Sequence, residues 1–163
     1  MTEENMSLRT SSALGLIVAD LFLRYPGLKS EDLALCKKGV ELSWLWVAGD
    51  NVDPFDICEY IDGEINLPIR STDYDPSSQA YFIIASTFLA VGLVAKNACD
   101  EISAHPTESV ENFGENEFSL LMSDAKHLNP QELEIFETLK GRLMKGDSFN
   151  SGAIDREVLY LNL

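Results

Sequence analysis

The chain has 163 residues, 45% hydrophobic and 24% charged, so it is long and apolar enough to form one folded domain around its own core. Its 27 acidic and 12 basic side chains give a net charge of −15, which repels nucleic acids and anionic membranes and attracts basic partners. We therefore expect neither nucleic acid nor a membrane as a partner.

Three cysteines, Cys36, Cys58 and Cys99, are widely spaced and odd in number. This pattern argues against a disulfide framework and against a zinc site, and it favours a reducing compartment. The first residues are polar and acidic, without the pattern of a signal or transit peptide. The expected location is the cytoplasm.

Two helices are predicted in the first third of the chain. Residues 1–7 are expected to be a frayed leader, followed by a helix over residues 8–24 that ends at Tyr25-Pro26-Gly27. Ser30 and the acids after it indicate the start of a second helix, which stops near Gly49.

Asp53-Pro54 combines a helix cap with proline at the first helical position, and it predicts a short helix that ends at Gly63. Residues 64–74 are predicted to form a loop, in which Leu67-Pro68-Ile69 rests on the core.

The chain is organised around a central helix predicted over about residues 76–103, beginning at Asp75-Pro76. It contains an uncharged run over residues 80–95 whose only polar side chains are Ser86 and Thr87. A helix that is apolar on nearly all sides must be covered on nearly all sides. The run is shorter than the roughly 20 residues that a bilayer requires, so we interpret it as the central helix of a soluble domain.

Two more helices and a tail complete the prediction. Thr107 is expected to cap a helix over residues 108–126, although Gly114 weakens its first half. Asn129-Pro130 starts the next helix clearly, and the tail at residues 153–163 is predicted to dock as a short helix or an edge strand. Five or six helices with short connections predict a single all-α domain over residues 1–163.

The net charge is concentrated in two acidic windows on either side of the central helix. Residues 39–69 and residues 97–125 each contain seven acids and no Lys or Arg, which accounts for −14 of the −15. Helix capping and helix dipoles explain some of these acids, but not Asp100 and Glu101, which lie near a helix C-terminus. A basic protein partner explains the remainder, provided that the helices fold back so that the windows share a surface. The predicted contact residues are Asp56, Glu59, Asp62, Glu64, Asp100, Glu101, Glu108, Glu111, Glu115 and Trp46.

Trp46 joins this set because Trp44 and Trp46 are two positions apart on a helix and point in different directions. One is expected in the core, and the other half-covered or exposed as a binding anchor.

No catalytic or cofactor motif is visible. The two histidines, His105 and His127, do not form the Glu-x-x-His pairs of a di-iron bundle, and there is no nucleophile elbow, P-loop or dinucleotide fingerprint. The sequence therefore predicts neither an enzyme nor a bound metal or cofactor.

The order of segments resembles the all-α Imm-type immunity proteins of bacterial polymorphic toxin and contact-dependent growth inhibition systems, and it is also similar to the YjaG-like helical family. The likeness covers about residues 10–145 and includes Arg24-Tyr25-Pro26 and Leu42-Ser-Trp44-Leu-Trp46. It implies a cytoplasmic protein that binds and blocks one cognate toxin, often a nuclease, without catalysis of its own. Two alternatives are an acidic adaptor that binds a basic cellular protein, and a helical hydrolase or metal protein that uses the acidic cluster.

Overall fold

The computed structural model describes residues 6–68, 73–146 and 152–163, and within these ranges the chain is all-α, as predicted. The helices in chain order are α1 (Leu8–Phe22), α2 (Ser30–Val47), α3 (Pro54–Asp62), α4 (Gln79–Glu101), α5 (Glu108–Glu111), α6 (Glu115–Ala125), α7 (Pro130–Lys145) and α8 (Arg156–Leu159). Their number exceeds the predicted five or six because the helix expected over residues 108–126 is divided into α5 and α6, and because the tail forms α8.

Local capping chemistry explains where the helices begin. Asp53 caps α3 by accepting from the Phe55 amide at 2.9 Å, and Asn129 caps α7 by accepting from the Glu132 amide at 2.8 Å, both as predicted. The predicted start of α4 at Asp75-Pro76 is wrong, because the Asp75 carboxylate instead closes a turn by accepting from the Ser77 amide. The cap of α4 is Ser78, whose hydroxyl accepts from the Tyr81 amide.

The cap of α2 also differs from the prediction. Ser30 is the first residue of the helix, and Lys29 precedes it as a cap without a side-chain hydrogen bond. The acids Glu31 and Asp32 nevertheless lie in the first turn, where the helix dipole favours them.

Helices α1 and α4 form the centre of the domain. Every α1 residue from Ser12 to Phe22 is buried, and α4 packs against α1, α2, α3, α5 and α6. Asn97 on α4 donates to the Ser12 hydroxyl at 2.9 Å, which ties the two helices together inside the core. Among the described helices, α4 is long and apolar enough to cross a bilayer, but 72% of its most apolar stretch is buried in the protein, as expected for the core helix of a soluble domain.

The break between α5 and α6 comes from Phe113, which packs against α4 at Gly92. A Cβ atom added at Gly92 would lie 2.1 Å from the Phe113 ring, so this approach requires glycine. After Phe113 the chain restarts as α6, where the Glu117 carboxylate accepts from the Gly114 amide at 2.8 Å. The break leaves α5 as a separate turn of helix, held against α3 and α4.

The tail docks as a short helix, one of the two predicted forms. The Ile154 amide donates to the Val47 carbonyl at 2.9 Å, and Arg142 donates to the carbonyls of Leu159 and Leu161. Leu67 is buried, as predicted, whereas residues 1–5 of the predicted leader and Ile69 lie outside the described residues.

Candidate functional site

Helix α3 separates its residues into a buried and an exposed face. The core face includes Ile57, Cys58 and Ile61, which pack toward α4. The exposed face carries Phe55, Asp56, Glu59 and Asp62. Three of the predicted contact residues therefore share one face of one helix, because these spacings return to the same side at 3.6 residues per turn.

The structure brings parts of the two acidic windows together at the end of α3. The Asp62 carboxylate accepts a hydrogen bond from the Ser109 amide at 2.8 Å, which holds α5 beside α3. Glu108 and Glu111 on α5 are exposed next to this contact. We name the resulting group the acidic corner; its members are Asp56, Glu59, Asp62, Glu64, Glu108 and Glu111. For this group, the condition that the two windows share a surface is met.

Most of the negative charge at the acidic corner has no internal partner. In the part of the chain that the structure describes, the carboxylates of Asp56, Glu64, Glu108 and Glu111 make no ion pair or hydrogen bond, and neither does Glu115 at the start of α6. Glu59 accepts from the Glu64 amide at 2.9 Å, which fixes its side chain on the surface. The corner is thus an exposed anionic surface whose carboxylates have no cationic partner within the described residues.

Asp100 and Glu101 behave differently from the other predicted contact residues. Asp100 pairs with Lys96 one turn earlier at 2.5 Å, and Glu101 pairs with Arg9 at 2.9 Å. The interpretation of these two acids as uncompensated is therefore wrong. Internal ion pairs explain their position near the C-terminus of α4, where the dipole disfavours them.

The prediction that one tryptophan stays at least partly uncovered is also wrong, since Trp44 and Trp46 are each only 3% exposed. They do point in different directions, but both directions are covered. The guanidinium of Arg9 lies over the Trp46 ring at 4.4 Å, and the Trp44 indole donates to Asp20 at 3.0 Å. Trp46 is thus a core residue and not an exposed anchor.

A second charged cluster was missed at the sequence level. Asp20 lies on α1 with a side chain only 5% exposed, and it accepts hydrogen bonds from Arg156 at 2.7 Å, Tyr160 at 2.8 Å and Trp44 at 3.0 Å. Arg156 also pairs with Glu41 on α2. We name these five residues the Asp20 cluster. Its sequence signal is that Asp20 is the single charged residue of α1 after Arg9.

Burial dominates the protonation of Asp20. Desolvation raises the pKa of its carboxyl to about 6, even though Arg156, Tyr160 and Trp44 all favour the charged form. Burial also raises the pKa of the Tyr160 hydroxyl, and the nearby Asp20 carboxylate adds to that effect. With all its partners supplied from within the chain, the cluster fastens α8 to α1 and α2.

A groove of about 930 Å³ lies over the Asp20 cluster, between the end of α1, α2 and α8. Its charged lining residues include Arg24, Lys37 and Arg156 on the basic side, and Asp20, Glu41 and Glu157 on the acidic side. Positive and negative groups are balanced here, in contrast to the acidic corner.

In the described ranges, no three His, Cys, Asp or Glu side chains converge as metal ligands. Cys36, Cys58 and Cys99 are free and buried. Burial raises the pKa of the Cys36 and Cys99 thiols to about 12, so both remain protonated and are poor nucleophiles near neutral pH.

Comparisons with known proteins do not assign this chain to a family: no family model matches it, and neither the curated proteins nor the solved structures gave a match. The resemblance to immunity proteins rests on the order of the sequence segments and stays a prediction.

Proposed function

We propose that this protein is a non-catalytic, cytoplasmic immunity protein that binds and neutralises a basic toxin through the acidic corner. The observation that carries the proposal is the convergence of uncompensated carboxylates from α3, the loop after it and α5. A toxin that acts on nucleic acid presents Lys and Arg to phosphates, and an inhibitor that covers this cleft offers carboxylates in place of the phosphates. Asp100, Glu101 and Trp46 are not part of the proposed surface, because they are engaged within the chain.

Holding so many like charges on one surface destabilises a compact fold. Asp56, Glu108 and Glu111 lie in first helical turns, where the dipole favours them, but within the described residues no internal cation offsets the repulsion among the acids of the corner. Binding a cationic partner accounts for them, since each Lys or Arg of the partner would remove repulsion and form a new ion pair.

The test begins with capture of the partner from the source cell at low salt, followed by stopped-flow association with the purified partner. We expect a basic protein whose activity is inhibited by this chain, and an on-rate that falls steeply between roughly 0.01 M and 0.1 M salt, where the Debye length shrinks from about 30 Å to about 10 Å. The triple variant Asp56→Asn, Glu108→Gln, Glu111→Gln should slow association about tenfold or more at low salt.

The matched control neutralises three exposed acids elsewhere, Glu31→Gln, Glu134→Gln and Glu137→Gln, and removes the same total charge. Equal slowing by both triples would reject the acidic corner as the contact surface.

The alternative is an adaptor that binds a basic cellular protein through the same corner. A toxin-encoding reading frame directly upstream, and rescue of growth when that toxin is produced together with this chain, are expected only for an immunity protein. Binding without any inhibition of the partner's activity would favour the adaptor.

A further inference from the structure

The exposed face of α3 contains one large apolar side chain among its acids. Phe55 is 45% exposed and lies four residues before Glu59 and seven before Asp62, so the three share one stripe on the helix surface. Asp56 flanks the stripe on the next position. Among the described residues, Phe55 does not belong to the hydrophobic core, and the core face of α3 is filled by other residues.

Apolar exposure recurs beside acids elsewhere in the predicted contact set. Ile65 follows Glu64, a member of the acidic corner, and is 43% exposed. Single exposed apolar residues are ordinary, but an aromatic side chain bordered by charged groups has the composition of an interface, where an apolar anchor is surrounded by a polar rim.

We propose that Phe55 is the apolar anchor of the acidic corner, and that it packs against an aliphatic side chain in a basic segment of the partner. In this arrangement the Lys and Arg residues of that segment pair with Asp56, Glu59 and Asp62. The inference rests on the proposed function and specifies its partner: a segment in which aliphatic and basic side chains lie next to each other.

Charge complementarity selects this occupant over two others. A second copy of the chain would bring one acidic corner against another in a protein of net charge −15, and like charges in contact repel. An anionic membrane surface is repelled for the same reason. A basic segment is attracted by the carboxylates and has an aliphatic group to cover the ring, which removes its apolar surface from water.

The test uses two synthetic peptides of equal length and equal Lys content, one with Leu and one with Gln between the lysines, each carrying a dye for fluorescence anisotropy. We expect the wild-type protein to bind the Lys/Leu peptide about tenfold more tightly than the Lys/Gln peptide at low salt. Phe55→Ala should remove this preference while leaving binding of the Lys/Gln peptide unchanged. The variant should fold normally, because Phe55 lies outside the hydrophobic core and Ala is the better helix former.

Leu161→Ala is the matched control, since Leu161 is more exposed than Phe55 and lies in the C-terminal segment. It should keep the full preference for the Lys/Leu peptide. Three results would reject Phe55 as the anchor while leaving the acidic corner in place. The preference for the Lys/Leu peptide could survive in Phe55→Ala, it could be lost equally in Leu161→Ala, or it could be absent from the wild type. Failure of both peptides to bind at low salt would instead count against the acidic corner itself.

Discussion

The acidic corner and the Asp20 cluster use the same functional group in opposite ways. At the corner, most carboxylates are exposed and have no internal cation. In the Asp20 cluster, a carboxylate is almost completely buried and receives three donors, one of them the guanidinium of Arg156. The first arrangement leaves charge available to another molecule, and the second uses it to hold the C-terminal segment against α1 and α2.

This difference shows why a shifted pKa is not by itself evidence of a functional site. Among the described aspartates and glutamates, Asp20 has the most strongly shifted pKa, yet all of its hydrogen-bond and ion-pair partners come from the protein itself. The corner acids are unremarkable one by one, and their interest comes from sharing a surface without compensation. Changing one residue of either group breaks one side of this contrast.

The largest expected effect is that of removing Arg156. Arg156→Ala leaves the Asp20 carboxyl buried without a cation, so that it must stay charged or take up a proton, and this should lower the free energy of unfolding by about 3 kcal/mol at neutral pH, the low end of the range for breaking a buried pair. Urea unfolding followed by circular dichroism measures this. Glu41→Gln removes only the exposed partner of Arg156 and should cost less than about 1 kcal/mol. A loss for Arg156→Ala no larger than that of Glu41→Gln would show that the Asp20 cluster does not stabilise the fold.

The free energy of unfolding should depend on pH through the titration of Asp20. The folded-state pKa of Asp20 is raised to about 6, so the folded protein retains a proton in a range where the unfolded chain has released it. The stability from this group is therefore complete at low pH, below its ordinary pKa, and it is lost as the pH rises through 6. Asn at this position cannot titrate.

Subtracting the unfolding free energy of Asp20→Asn from that of the wild type isolates this titration from that of all other acids. The difference should fall by at most about 3 kcal/mol between about pH 4 and about pH 8, since one pKa unit corresponds to about 1.4 kcal/mol. A difference that stays constant would show that Arg156 balances desolvation, and one that rises with pH would show that Arg156 outweighs it; in either case the pKa is not raised.

The sequence predicted the features that depend on neighbouring residues. The caps at Asp53 and Asn129 act within three positions of themselves, and the acids of the corner were visible as runs without Lys or Arg. The errors involve contacts across the chain. Arg9 compensates Glu101, 92 positions away, and covers Trp46, 37 positions away, and no local pattern indicates either contact.

Asp20 could be predicted from the sequence only in part. A single charge in the apolar sequence of α1 signals a buried carboxylate that needs a partner, but the partner is Arg156, 136 positions away. The split between α5 and α6 is similar, because Gly114 weakens the helix locally while the contact of Phe113 with Gly92 determines where α5 lies.

The smallest expected effect tests whether the acidic corner is maintained at a cost to stability. Asp62 is the last residue of α3, where the helix dipole disfavours an anion, and Glu64 follows it closely. In Asp62→Asn the side-chain oxygen can still accept from the Ser109 amide, so the contact between α3 and α5 is kept through a weaker, neutral hydrogen bond while the charge is removed. The double variant Asp62→Asn, Glu64→Gln should therefore be more stable than the wild type by up to about 1 kcal/mol at low salt, and the gain should disappear as salt screens the repulsion.

Glu108→Gln is the control, since Glu108 lies in the first turn of α5, where the dipole favours its charge, and it should gain nothing. Thermal melts at low and high salt measure these differences. A double variant that is less stable than the wild type at low salt would show that these two carboxylates stabilise the fold, and the contrast with the Asp20 cluster would not hold.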